Sequence, residues 1–202
     1  MPVSERVDAA GYYDFDPKSF ADRYDSVTFE AVHPHLRRYL PANGRVLDVG
    51  AGSGRDARFM AACGLHVTAV EPSAGLRAIG ARNSEDVEWI DDRLPNLASI
   101  SDKVERFDFI LCSAVLMLVA PEDLEGCFAT LSHLLAPAGK LAMNLRAPKL
   151  DEPPDLFFAH SDNAVLTAAA ATGLICLHRA EAEDALGRRA YNWRSFVFER
   201  AR

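Results

Sequence analysis

The stretch that most constrains this chain is Val46-Leu47-Asp48-Val49-Gly50-Ala51-Gly52-Ser53-Gly54-Arg55-Asp56. Arg45 to Val49 is a short, mostly apolar run, the pattern of a parallel strand buried on both faces. Glycines then alternate with small residues, and a helical pattern runs from Arg55 to Cys63, where Gly64 stops it. Glycines between a strand and a helix let the backbone turn through positive φ and let a ligand lie against the main chain. In an open α/β sheet, ligands bind in the crevice beyond the carboxyl ends of the strands.

The rest of the chain repeats the alternation. Strand patterns cover His66 to Val70, Val87 to Ile90, Phe107 to Cys112 and Lys140 to Leu145. The hydroxyl of Ser73 suits the cap of a second helix. Pro121 opens a long amphipathic helix with Leu124, Cys127, Phe128, Leu131, Leu134 and Leu135 at core spacing. The proline-rich segment from Arg146 to Ser161 reads as a loop, and a helix from Asp162 to Thr172 ends at Gly173. Two final strands, Leu174 to Arg179 and Tyr191 to Glu199, are close enough for a hairpin, so the last runs antiparallel. Ahead of the first strand, the residues before Lys18 are polar and turn-rich, and a helix starts near Ser19. Another is expected over Phe29 to Leu40, with Pro34 able to delay its start. The expected fold is a Rossmann-like, doubly wound α/β domain. Its sheet is mixed and seven-stranded with an antiparallel last strand, and helices cover both faces. Residues 1–40 would form an N-terminal helical lid segment on a domain of residues 41–202.

Charge and cysteine usage exclude several roles. The net charge is −7 and the Lys and Arg residues are scattered, the densest groups being pairs such as Arg37-Arg38 and Arg188-Arg189. A phosphate-neutralising face is therefore not evident, so DNA is not expected as a partner and RNA is a poor one. No apolar run reaches the length of a membrane span, and Met1 to Arg6 lacks the apolar core of a signal peptide. A cytoplasmic protein without a membrane partner is expected. Cys63, Cys112, Cys127 and Cys176 lie far apart and read as reduced thiols, with Cys112 and Cys176 in buried strands. Nothing resembles metal-ligand spacing, so no metal is expected.

An acid, Glu71, ends the second strand about twenty residues after the loop, where a carboxylate accepts hydrogen bonds from both hydroxyls of a ribose. NAD-binding and S-adenosylmethionine-binding domains both use this plan. The dinucleotide fingerprint G-x-G-x-x-G would put its third glycine at position 55, which is Arg55. The glycines fall instead as G-x-G-x-G, with Asp48 before the loop and Asp56 in the first helical turn. Such acids suit a ligand bearing an ammonium group and disfavour a pyrophosphate.

These stretches resemble the class I S-adenosylmethionine-dependent methyltransferases, especially small bacterial ones acting on metabolites. Asp91-Asp92-Arg93-Leu94-Pro95, Phe107 to Leu116 and Leu134 to Leu141 resemble the same family's later motifs, so the likeness covers residues 20 to 200. The resemblance implies that Asp48, Gly50, Gly52 and Gly54 surround the methionine part of S-adenosyl-L-methionine. Ala51, Ser53, Arg55 and Asp56 would complete that loop, and Glu71, with Pro72 and Ser73 beside it, would hold the ribose. Asp91 or Asp92, with Arg93 or Leu94, would flank the adenine, and Cys112, Ser113 and Met117 would line the methionine side. Phe20 to Asp25 resembles the short Tyr-Asp helix that many such enzymes fold over the cofactor, which brings Tyr24 to the site.

The implied activity is methyl transfer to oxygen or nitrogen of a small-molecule acceptor, releasing S-adenosyl-L-homocysteine. Tyr24, His33 and His160 are the weak catalytic candidates, His33 and His160 being also readable, like His35, as surface histidines. His66, His133 and His178 lie on regular elements away from the strand ends that form the site, or face the core. Arg146, Lys149, Arg188 and Arg189 sit in the loops that would build the acceptor pocket, where one could pair with an anion. The turn after the fourth strand, Cys112-Ser113-Ala114-Val115, lacks the Asp/Asn-Pro-Pro-Tyr/Phe motif of amino-methylating DNA enzymes. The alternatives are a methyltransferase-like protein that binds the cofactor without catalysis, and an NAD-dependent oxidoreductase.

Overall fold

The structure is a computed structural model that describes residues 8–101, 105–188 and 191–201. Three short helices come first: α1 Ala9–Asp14, α2 Pro17–Asp25 and α3 Phe29–Val32. The alternating unit follows as β1 Arg45–Val49, α4 Arg55–Ala62, β2 His66–Val70, α5 Ala74–Arg82, β3 Val87–Ile90, α6 Ala98–Ser101 and β4 Phe107–Ser113. The chain closes with α7 Leu124–Leu134, β5 Leu135–Arg146, α8 Asp162–Ala171, β6 Leu174–Glu183 and β7 Asn192–Arg200. The strands form one sheet in the order β3-β2-β1-β4-β5-β7-β6. β1 to β5 are parallel, and β7 runs antiparallel to both of its neighbours. The order reverses between β1 and β4, which places the loops after those strands at the crevice.

Alternation along the strands divides the core in two. Ile110, Leu141, Phe196 and Phe198 pack with Leu124, Phe128 and Leu131 of α7 and Val165 of α8. Phe109, Leu111, Ala142 and Val197 pack with Ala57 and Met60 of α4 and with Phe29 of α3. Phe29 is the N-terminal segment's anchor, stacked on Phe59 with ring centroids 4.0 Å apart.

The N-terminus departs from the sequence expectation. The stretch before Lys18 contains α1, because Asp8 accepts from the Gly11 N–H and supplies its cap. Asp16 does the same for α2 through Ser19, with Pro17 at the first helical position. The helix expected over Phe29 to Leu40 is broken instead. A residue before proline is pushed out of the α region, and His33 takes φ −127° and ψ 60°, which ends α3. A separate 3₁₀ turn covers Arg37–Tyr39. β5 starts earlier than its apolar run, and β6 extends to Glu183. Cys176 is exposed, because β6 is the sheet's edge strand; Cys112 and Cys127 are buried.

Trp89 of β3 lies against α5. A Cβ on Gly80 would sit 2.2 Å from its ring, so the absence of a side chain there makes room for the indole. Alanine in a helix interior is ordinarily favoured over glycine by about 1 kcal/mol, but overpacking costs about 1–3 kcal/mol. Gly80→Ala should therefore lower the melting temperature by about 2–4 °C, and Trp89→Leu in the same background should recover part of that loss in thermal denaturation. A Gly80→Ala protein more stable than the parent would contradict this packing.

Candidate functional site

The site begins where β1 ends. Gly50, Gly52 and Gly54 have φ of 68°, 57° and 83°, so the loop turns through a conformation that side chains resist. A Cβ on Gly50 would meet Val115 Cγ2 at 2.4 Å, which shows how closely the segment after β4 approaches. From the other side, α2 closes over the loop. Ser53 Oγ donates to Asp25 Oδ1 at 2.7 Å, and Arg58 bridges Asp25 and the Ser53 carbonyl at 2.8 and 2.7 Å. The Tyr24 ring lies over Gly52, 3.5 Å from where a Cβ would stand. α1 is tied down by Asp14, whose Oδ1 accepts from Ser73 Oγ at 2.6 Å and from the Gly75 N–H at 2.8 Å.

Glu71 joins the two loops at the crevice. Its Oε2 accepts from the Gly52 N–H and its Oε1 from the Ser73 N–H, both at 2.8 Å. Burial raises its carboxyl above the ordinary value, against the pull of those two donors. Asp48 lies deeper, with 1% exposure, and its Oδ2 has no hydrogen-bond partner among the described residues. Burial, reinforced by the neighbouring Asp56 charge, pushes the Asp48 carboxyl well up. An orphaned buried carboxylate oxygen is costly unless a cation or donor takes it.

Asp56 is the opposite case. Burial alone would raise its carboxyl, but His33 and Arg55 beside it hold it well below the usual carboxylate range. Arg55 donates to both of its oxygens at 2.7 Å, and His33 Nε2 lies 3.0 Å from Oδ2. His33 is 5% exposed, not on the surface. Its Nδ1 faces Asn144 Nδ2 at 3.5 Å, and Asn144 Oδ1 accepts from the Ala114 N–H at 2.8 Å and from Ser113 Oγ at 3.3 Å. Asn144 escaped the sequence reading. Its signal is a single polar residue inside the apolar run of β5, and it is buried with 6% exposure.

These residues line one cavity of about 660 Å³. Of the residues singled out in the sequence, it collects Tyr24, His33, Asp48, Gly50, Ala51, Gly52, Ser53, Arg55, Asp56, Glu71, Pro72, Asp92, Arg93, Leu94, Ser113 and Met117. Five others stand off its wall, each for a local reason. Gly54 supplies the N-cap of α4 and backs onto Trp89. Ser73 is fully buried, its hydroxyl accepting from the Leu76 N–H and donating to Asp14. Asp91 points outward to Arg77 at 3.0 Å, whereas Asp92 lines the cavity and accepts from the Arg93 and Ser99 N–H groups. Cys112 is fully buried in the core. His160, also buried rather than on the surface, donates between the Leu116 and Val119 carbonyls at 2.9 and 3.0 Å and braces the turn after β4. His178 corrects the reading that set it away from the site, since it lines the cavity with His35.

Tyr24 is half-buried, and burial pushes its phenol up to about 12, which keeps it a hydrogen-bond donor near neutral pH. At the rim, the loop cations are largely spoken for. Arg146 is held by Glu152 at 2.5 and 2.8 Å and lies 4.5 Å from the Tyr191 ring centroid. Arg188 is held by Asp184 at 2.6 and 2.8 Å, Lys149 Nζ sits 3.9 Å from the Tyr191 centroid, and Arg189 lies outside the described residues. Among the described residues no group of three His, Cys, Asp or Glu side chains gathers to hold a metal ion. Among them, too, no helix is long and apolar enough to cross a membrane.

A family model, curated relatives and solved structures are all similar to this chain. A family model described as "Methyltransferase domain" matches residues 20–199. An uncharacterized methyltransferase of Staphylococcus carnosus is 32% identical over 100 residues, covering 50% of this chain and 46% of that protein. A ubiquinone biosynthesis O-methyltransferase of Xanthomonas axonopodis is 31% identical over 109 residues, covering 53% and 45%. The matched stretch thus spans less than half the length of these curated relatives. Among solved structures, the 1,6-didemethyltoxoflavin-N1-methyltransferase of Burkholderia thailandensis, with bound 1,6-didemethyltoxoflavin and S-adenosylhomocysteine, superposes with a TM-score of 0.70 at 21% identity. That match covers 96% of this chain and 88% of the other, and at this identity it speaks to the fold. The matched model runs from α2 to the end of β7, across the whole sheet, and the chain belongs to the class I S-adenosylmethionine-dependent methyltransferases.

Proposed function

We propose that this chain transfers the methyl group of S-adenosylmethionine to a small-molecule acceptor, releasing S-adenosylhomocysteine. The observation that carries the reading is the pairing of Glu71 with the orphaned Asp48 oxygen in one cavity. Each Glu71 oxygen accepts one backbone donor and keeps a lone pair for a ribose hydroxyl. Asp48 offers an unpartnered buried oxygen to the ammonium group of the methionine part, and the glycine loop lets that part lie against the main chain. Asp92, with Leu94, is the choice for the adenine edge over Asp91, whose side chain is turned to Arg77. The carboxyl groups of Asp48 and Asp56 disfavour a pyrophosphate, which argues against a dinucleotide.

In this reading residues 1–40 are the lid segment and 41–202 the cofactor domain, residues 1–7 of that lid lying outside the described residues. The clasp of Asp25 and Asp14 on the loops supports it. The sulfonium supplies an activated methyl carbon, and this chain's part is to orient two molecules and exclude water, which can remove about 7–11 kcal/mol of a bimolecular barrier. The acceptor is neither DNA nor RNA in this reading, consistent with the net charge of −7, and the protein works in the cytoplasm. The Burkholderia enzyme holds the small molecule 1,6-didemethyltoxoflavin and the Xanthomonas relative is named for ubiquinone biosynthesis, which favours a small-molecule acceptor here.

Three outcomes follow from these assignments. Glu71→Ala should weaken S-adenosylmethionine binding about ten- to a hundredfold in calorimetric titration, the loss of one or two charge-assisted bonds. An unchanged dissociation constant would remove the ribose assignment. Asp92→Ala should weaken binding about tenfold while Asp91→Ala leaves it within about twofold; the reverse order would transfer the adenine contact to Asp91.

The third outcome concerns pH. The Asp48 carboxyl lies well above its ordinary value in the free protein, and a bound ammonium group favours its charged form. At a pH below that raised value, binding expels a proton, and affinity falls as the pH is lowered further. The binding enthalpy should vary with the ionisation enthalpy of the buffer, and Asp48→Asn should flatten that dependence. A buffer-independent enthalpy in the parent protein would show that Asp48 does not titrate on binding.

A further inference from the structure

We infer that His33 is the general base of this site, set by Asp56, and that the acceptor atom is therefore a hydroxyl oxygen. The inference rests on the methyl-transfer reading above. It starts from the hydrogen-bond directions around Asn144. The amide oxygen is committed to the Ala114 N–H at 2.8 Å and to Ser113 Oγ at 3.3 Å, so the amide nitrogen is the end that faces His33. An amide NH₂ only donates, so His33 Nδ1 must present its lone pair there. The ring proton is then on Nε2, 3.0 Å from Asp56 Oδ2. This is the arrangement in which a buried carboxylate fixes the tautomer of an imidazole and stabilises the imidazolium that forms when the ring takes a proton.

The contact at Nδ1 is weak. At 3.5 Å the Asn144 bond is at the outer limit of a hydrogen bond, whereas the Asp56 bond is of ordinary length. A lone pair held that loosely can pass to an incoming hydroxyl. His33 also lines the cavity, as do Ser113 and Ala114, which hold the Asn144 amide oxygen. The other candidates do not serve. The Tyr24 phenol stays protonated, and His160 is spent on two carbonyls outside the cavity. Asp56 does not face the acceptor as a base itself, because Arg55 and His33 occupy its oxygens.

A base of this kind selects the acceptor. A neutral amine attacks with its own lone pair and can lose its proton afterwards, but a hydroxyl is a poor nucleophile until its proton is removed. His33 Nδ1 would take that proton as the acceptor oxygen bonds to the methyl carbon. The carbon–sulfur bond breaks with its electron pair retained on sulfur, leaving a thioether, an ether product and an imidazolium paired with the Asp56 carboxylate. The imidazolium returns its proton to water once the products leave. Asp56 and Asn144 act through His33 as positioning residues.

The first test needs no acceptor. Nitrogen-15 NMR of the parent protein, with and without S-adenosylmethionine, should show His33 as the Nε2–H tautomer, and Asp56→Asn should shift that signal toward the mixture of an untethered imidazole. An Nδ1–H tautomer in the parent protein would overturn the inference while leaving cofactor binding intact. The second uses catechol and simple phenols as oxygen acceptors beside aniline and alkyl primary amines, reading S-adenosylhomocysteine release. Turnover of phenols with kcat lowered about a hundredfold or more in His33→Ala, the cofactor dissociation constant unchanged and rate restored by added imidazole, would support the base. Methylation of amines alone, or a His33→Ala protein within about threefold of the parent, would overturn it. Failure of the parent protein to bind S-adenosylmethionine at all would instead remove the reading on which the inference stands.

Discussion

The pair of hydrogen bonds that Glu71 makes to Gly52 and Ser73 is the constraint on which the site depends. It ties the loop after β1 to the loop after β2 with a charged acceptor that is buried to 5% exposure. Burying that carboxylate is costly, and two backbone donors at 2.8 Å are what make it tolerable. The same bonds fix the mouth of the crevice. Around them the parallel strands β1, β2 and β4 hold the loops in register, Val49 pairing with both Val70 and Cys112. The chemistry is thus built on rigid strand ends and on loops with few degrees of freedom left.

The N-terminal helices complete the site from outside the sheet. They contribute little core by themselves apart from Phe29, but they deliver Tyr24 and His33 to the cavity wall and Asp25 to Ser53 of the glycine loop. Proline accounts for the delivery. Had the helix run on from Phe29 to Leu40, His33 would have continued the helical turn. The break before Pro34 gives it an extended φ and leaves its ring between Asp56 and Asn144. A feature that looked like a delayed helix start is the device that places the imidazole. The aspartates follow the same economy, since Asp8, Asp14 and Asp16 each cap a helix end.

The sheet was legible because its signals are local. Apolar runs, glycine stops and the acid after the second strand appear in the sequence at the spacing the fold uses, and strands β1 to β3 fall where those runs predict. What the sequence hid depends on pairs distant along the chain. Gly54 belongs to the glycine motif, yet its role is to cap α4 and admit Trp89, which no motif states, whereas Ser73 caps α5 as its hydroxyl suggested. Asp91 and Asp92 are adjacent and chemically alike, and only the reach of Arg77 from α5 separates them. Cys176 reads as core by its neighbours, but its strand lies at the sheet edge, a property of strand order rather than of the run itself. His160 and Asn144 exchange their expected importance for the same reason: each is defined by a partner about thirty or more residues away.

What enters the cavity beside Glu71 and Asp48 decides what this protein does. Calorimetric titration of the purified protein with S-adenosylmethionine, S-adenosylhomocysteine and NAD measures this most directly. Micromolar binding of the first two with no heat from NAD is the predicted result. Binding of NAD, or of none of the three, would contradict it.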